Sequence, residues 1–124
     1  ASYFKKCVSG MFPTKAFDPD IVVHLGEYSR VEASFDNSLF AMNNIIGNIS
    51  QVLDFCKVNK CKLIYAGSST KFGDAISPYS LSKAANTDLV KKYCDLFDMD
   101  YAITYFYNAY GLGERSEGEY STVI

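Results

Sequence analysis

The segment SSTKFGDAISPYSLSKAAN, Ser68 to Asn86, sets a serine, a tyrosine and a lysine at the mouth of what reads as a strand–turn–helix unit. Tyr79 and Lys83 are four residues apart, so on a helix both side chains share one face, one turn from each other. An ammonium one turn from a phenol favours the phenolate and lowers its pKa from the usual value of about 10. A tyrosine tuned in this way suits an acid/base step. The same spacing also arises on any amphipathic helix with a surface Tyr and a surface Lys, and the chain has ten tyrosines. The elements that carry the pair must therefore decide its meaning.

Those elements alternate. DIVVHL, Asp20 to Leu25, follows Pro19 and reads as a buried parallel strand. Polar GEYSRVEASFDNS links it to a helix over Leu39–Val58, with apolar residues at 45, 46, 49, 52, 53 and 56. Asn37 or Ser38 can cap that helix, and Asn59 is a plausible left-handed stop. KLIYA, Lys62 to Ala66, is a second buried strand, and GSSTKFGDAIS is a loop. Ser77 followed by Pro78 marks a helix start, a cap and then proline at the first helical position. That helix is expected to run to about Phe97 with Leu81, Ala85, Leu89, Tyr93 and Leu96 facing inward. DYAITYFY, Asp100 to Tyr107, is a third strand, followed by the glycine-rich loop NAYGLGERSEGEYS.

The β-α-β-α-β order with short loops implies an α/β fold with a parallel sheet and right-handed crossovers. Ligands in such sheets bind beyond the carboxyl ends of the strands. HLGEYS, GSSTKFG and FYNAYGLG all fall at that edge. His24, at the end of a buried strand, reads as packed and hydrogen-bonded rather than catalytic.

Composition narrows the function. A net charge of -2 offers no electrostatic reason to bind nucleic acid. Cysteines 7, 56, 61 and 94 form no C-x-x-C pair, so zinc is not expected, and free thiols in a reducing cytoplasm are the simplest account. No apolar run approaches the roughly 20 residues of a membrane span, so no membrane partner is expected.

From Asp18 to Arg115 the chain resembles the extended short-chain dehydrogenase/reductase family, the NAD-dependent nucleotide-sugar epimerases and dehydratases. DPDIVVHLGE is similar to the family's fourth strand, MNNIIGN to its N-x-x-G helix segment and GSSTKFGD to its serine loop. YSLSK is similar to its Y-x-x-x-K, and YFYNAYGLGE to R-x-x-N-x-Y-G-x-G, with Tyr105 in place of the arginine. The resemblance implies a partial Rossmann-type doubly wound parallel sheet, strands four to six of the family. It implies that Tyr79 is the acid/base for a sugar hydroxyl, that Lys83 holds the nicotinamide ribose and that Ser68 hydrogen-bonds the reacting hydroxyl. Leu25, Gly26 and Glu27 would pass beside the cofactor, mostly through backbone, with Asn44 and Phe106 near it. Glu27 would bring a charge where the family usually has a small residue. Thr70 and Asn108 would face the nucleotide-sugar, Asn108 at its phosphate.

The family's 4,6-dehydratases carry Asp-Glu just after the hydroxyl residue. Here Ser69 and Thr70 stand there, which resembles the 4-epimerases; dehydratase, reductase and catalytically silent members are the alternatives. No G-x-x-G-x-x-G opens the chain, and the residue that would choose NAD or NADP lies in a strand not present. Residues 1–124 are accordingly expected to be an incomplete NAD-binding domain, without the cofactor's glycine loop or a C-terminal substrate lobe. DIVVHL would then be an exposed edge. The intact protein is expected to be a cytoplasmic homodimer joined through the helices near Leu39–Val58 and Tyr79–Phe97.

Overall fold

Three apolar runs build the sheet, and the helices between them cover it. The computed structural model describes residues 18–72, 76–107, 109 and 111–113. Strand β1 covers Ile21–His24, β2 Lys62–Ser68 and β3 Tyr101–Phe106. They lie in the order β1-β2-β3 with every pairing parallel. Helix α1 spans Ala33–Asp36, α2 Ser38–Asn59 and α3 Pro78–Leu96, and a 3-10 turn spans Ser69–Phe72. The turn and α1 fall in segments that sequence reading leaves as loops.

Period-two alternation assigns the strand faces. Leu63 and Tyr65 are fully buried and join Val22, Tyr101 and Ile103 against Ile49, Leu53 and Cys56 of α2 and Val90 and Cys94 of α3. Both long helices therefore feed one core on one face of the sheet. On β1 the alternate residues Ile21 and Val23 are 50% and 54% exposed. The expectation of a strand buried throughout fails for β1, because among the described residues both long helices cover the face of Val22 and His24, and Ile21 and Val23 point to the other face at the sheet edge. Among the described residues DIVVHL is an edge strand, as expected.

Helix ends follow local chemistry. The Asn37 side chain accepts from the Phe40 N–H at 3.1 Å and caps α2. The left-handed stop falls one residue later than expected, on Lys60 with φ 53°. Asn59 stays helical, its amide donating to the Phe55 carbonyl at 2.8 Å. Ser77 and Ser80 form a reciprocal capping box in front of α3.

The inward face of α3 differs most from expectation. Ser82, Lys83, Asn86, Thr87, Val90 and Cys94 are buried, whereas Leu81, Leu89 and Leu96 are exposed. The helix lays a polar stripe over the end of the sheet and an apolar one only near its C-terminus. Cys56, Cys61 and Cys94 are free thiols, all buried. Among the described residues no helix is long and apolar enough to cross a membrane.

Candidate active site

The first turn of α3 shows how the sequence fixes Tyr79. A helix start leaves its first N–H groups without intrahelical partners. Pro78 has no N–H to satisfy. Ser80 N–H donates to the Ser77 hydroxyl at 3.0 Å, and Leu81 N–H to the Ser77 carbonyl at 3.0 Å. The remaining group, the Tyr79 N–H, donates to Ser34 Oγ at 3.3 Å. Ser34 is fully buried in α1 and donates to the Val31 carbonyl at 2.5 Å. A residue 45 positions away thus pins the backbone of the candidate acid/base.

Ser68 ends β2, opposite Phe106 of β3 in the ladder. Its hydroxyl lies 2.9 Å from that of Thr70 and accepts the Thr70 N–H at 3.3 Å. Ser68, Thr70 and Lys83 pack together with Ser80, Ala84 and Thr87 around a closed seam that has no room for a water molecule. The helix start and the strand end thereby bring Ser68 and Thr70 beside Lys83; the Tyr79 side chain is not among the residues of that seam.

Lys83 is 6% exposed at its side chain. Its ammonium donates to Glu27 Oε2 at 2.5 Å, to the Ala66 carbonyl at 2.5 Å and to the Tyr65 hydroxyl at 3.2 Å. The ring of Tyr65 lies beside it, 4.6 Å from Nζ to centroid. Tyr79 is not among these partners. Lys83 sits four residues from Tyr79 on α3 as expected, but its ammonium is turned to the sheet interior.

The charge of Glu27 is likewise turned inward, its side chain only 4% exposed. Tyr65 Oη donates to its Oε2 at 2.9 Å, and Asn86 Nδ2 to its Oε1 at 3.1 Å. His24 Nε2 lies 3.1 Å from the same Oε1. Burial alone would raise the carboxyl's pKa, but the His24 hydrogen bond and the Lys83 ammonium outweigh it and hold the group below its ordinary value. Burial, and next the Glu27 charge, push the Tyr65 phenol upward, against the Asn86 hydrogen bond. His24 stacks on Tyr65 with centroids 5.9 Å apart, packed and hydrogen-bonded as its position implies.

Gly26, Glu27 and Asn44 line a hollow of about 400 Å³ with Tyr28, Arg30 and Phe40. Leu25 and Phe106 stand exposed at the carboxyl ends of β1 and β3. Asn108 lies outside the described residues. A larger hollow of about 650 Å³ lies at the other end of the strands, between Asp20, Lys57, Lys62 and Asp100. Size does not make it the site, since the groups suited to proton transfer are at the opposite edge. Ser34, Tyr65 and Asn86 escape sequence reasoning. The available signals are slight: Tyr65 alternates with buried Leu63, and Asn86 lies one turn beyond Lys83.

The sequence profile of the NAD dependent epimerase/dehydratase family matches residues 11–124. The chain belongs to this family. Among curated proteins it is 32% identical over 118 residues to a dTDP-D-glucose 4,6-dehydratase of Dictyostelium discoideum, covering 74% of this chain and 27% of that protein. It is 25% identical over 115 residues to a UDP-glucose 4-epimerase of Yersinia enterocolitica, covering 81% of this chain and 33% of that protein. The chain thus spans about a third or less of these relatives. Among solved structures it is similar to a UDP-N-acetylglucosamine 4-epimerase from Methanobrevibacter ruminantium M1, in complex with UDP-N-acetylmuramic acid. The TM-score is 0.76 at 24% identity, covering 84% of this chain and 38% of that one. That likeness establishes the α/β Rossmann-type fold of this epimerase/dehydratase chain.

Proposed function

We propose that this chain carries the proton-transfer half of an NAD-dependent nucleotide-sugar 4-epimerase. The observation that carries the reading is the packing of Ser68 and Thr70, at the end of β2, beside α3, whose first turn pins the Tyr79 backbone one turn from Lys83. Tyr79 takes the proton of the sugar C4 hydroxyl and later returns it. Ser68, oriented by Thr70, hydrogen-bonds that hydroxyl. Positioned proton transfer of this kind contributes roughly 10²–10⁴ in rate.

The residues at the edge fit the nicotinamide-ribose end of NAD. Open space surrounds the position of a Cβ on Gly26, so backbone approach is unhindered there. Leu25 and Phe106 offer exposed apolar surface, and Asn44 lines the adjoining hollow. NAD, or NADP in its place, supplies the hydride acceptor and donor when bound. Asn108 is assigned to the nucleotide-sugar phosphate by resemblance.

Residues 1–124 correspond in this reading to an incomplete NAD-binding domain, in keeping with the share of each relative they span. The whole protein is a cytoplasmic homodimer. Exposed Leu39 and Ile46 on α2 and Leu81 and Leu89 on α3 supply the apolar contact between copies.

The dehydratase reading has one specific support, the 32% identity to the Dictyostelium enzyme. Ser69 and Thr70, where dehydratases carry Asp-Glu, favour epimerisation, because elimination lacks its usual proton donors. The full-length protein, incubated with a UDP- or dTDP-hexose, separates the two. A C4-inverted product of unchanged mass supports the epimerase, and a keto product lighter by one water supports the dehydratase.

A further inference from the structure

Asn86 takes no part in the proton transfer assigned to Tyr79 and does not line the 400 Å³ hollow, yet it is buried and ties two distant segments together. An amide NH2 has two donors. Asn86 Nδ2 donates to the Ile45 carbonyl of α2 at 2.7 Å and to Glu27 Oε1, just beyond β1, at 3.1 Å. These partners lie 41 and 59 residues away. Ile45 is inside α2, where the helix supplies its carbonyl with a partner four residues on. The Asn86 amide takes that oxygen's second lone pair. The carbonyl does not need it to be satisfied, so what the bond supplies is a fixed spacing.

Both ends of this link adjoin the hollow. Glu27 lines it with Gly26 on one wall, and Asn44, next to Ile45, lines it from α2. Tyr28 and Phe40, which also line it, meet edge to face with centroids 6.0 Å apart. An aromatic contact inside the hollow and an amide behind it therefore both span from the segment after β1 to α2. We infer that Asn86 is a positioning residue for the cofactor, setting from behind the distance between the Gly26–Glu27 backbone and the Asn44 turn of α2. The inference rests on the proposed role of this hollow toward NAD.

Asn86→Leu removes the amide and leaves each partner another. The Ile45 carbonyl keeps its helix bond, and Glu27 Oε1 keeps His24 Nε2 at 3.1 Å. The Tyr65 hydroxyl, which the amide also reaches, keeps Glu27 and Lys83. No buried polar group is orphaned, so the fold is expected to persist.

The test compares the wild-type and Asn86→Leu full-length proteins. Calorimetry with NAD is expected to show about tenfold weaker binding by the variant, or about 1.4 kcal/mol. Amide hydrogen exchange, read by mass spectrometry, follows residues 25–30 and 40–49, the two walls, with β3 as the internal standard. Exchange in the walls is expected to rise several-fold while β3 keeps its wild-type rate. Wild-type NAD affinity in the variant overturns the inference. So does exchange that is unchanged in the walls, or raised equally in β3, which would make Asn86 a general stabiliser. If the wild-type protein binds no NAD, the cofactor reading fails, and the exchange alone decides whether Asn86 sets the walls. If Asn86→Leu does not fold, Asn86→Ala removes the same amide without added bulk and carries the same test. Failure of both to fold overturns the inference.

Discussion

Replacing Ser34 with alanine tests whether α1 holds the acid/base tyrosine in place. Ser34 is fully buried and makes two side-chain hydrogen bonds. The Val31 carbonyl keeps a partner in the variant, because the Ser34 N–H also donates to it at 3.1 Å. The Tyr79 N–H does not, since it lies in the first turn of α3 and Ser34 Oγ is its acceptor. An amide left unmade in a buried setting costs about 1–3 kcal/mol. Tyr79 is half-buried, so water can reach part of the vacated position, and the expected loss is the lower part of that range, about 1–2 kcal/mol. Urea unfolding of wild-type and Ser34→Ala full-length protein, with the same slope in both, reads this directly. If Ser34 positions Tyr79, turnover falls several-fold beyond what the unfolded fraction explains. A loss under about 0.5 kcal/mol, the scale of an ordinary surface substitution, together with wild-type turnover would refute the reasoning.

Further outcomes follow from the same geometry. Glu27 is held below its ordinary pKa, so its stabilisation is complete above the unfolded value of about 4.3 and is lost as pH falls through the lower folded value. Acid unfolding should therefore be steeper in the wild type than in Glu27→Gln, and parallel acid limbs would contradict this. At Gly67 an added Cβ would lie 3.0 Å from the Thr104 carbonyl oxygen and from Ile103 Cγ2. Gly67→Ala in central β2 should cost about 1–3 kcal/mol by overpacking, read by urea unfolding, and a neutral result would show that β3 yields. At Gly26 nothing lies within 4 Å of such a Cβ. Gly26→Ala should leave thermal stability unchanged and weaken NAD binding measured by calorimetry; unchanged NAD affinity would remove Gly26 from the cofactor path.

The parts legible in the sequence are those decided by local chemistry. The three strands are short β-branched or apolar runs, and the order β-α-β-α-β implies their parallel pairing. Ser77 followed by Pro78 marks the start of α3 to the residue, because cap and first-position proline are local signals. The inner face of α3 is not legible. Leucines at 81, 89 and 96 suggest an apolar stripe facing the core, but the helix instead buries Ser82, Lys83, Asn86 and Thr87 against the polar end of the sheet. A hydrophobic pattern cannot announce a buried polar face. The inward turn of Glu27 is hidden for a different reason. Its partners Tyr65, Lys83 and Asn86 lie 38, 56 and 59 residues away and meet it only once the strands pair. Ser34 escapes notice because its partner is a backbone N–H, which has no residue identity in the sequence.

Turnover of a nucleotide-hexose by Tyr79→Phe in the full-length protein tests the central claim most directly. The substitution removes only the hydroxyl and keeps the Tyr79 N–H that donates to Ser34. The account predicts an intact fold and a loss in turnover of roughly 10²–10⁴. Turnover within a few-fold of wild type would show that another group moves the proton, and the assignment of Tyr79 would fall.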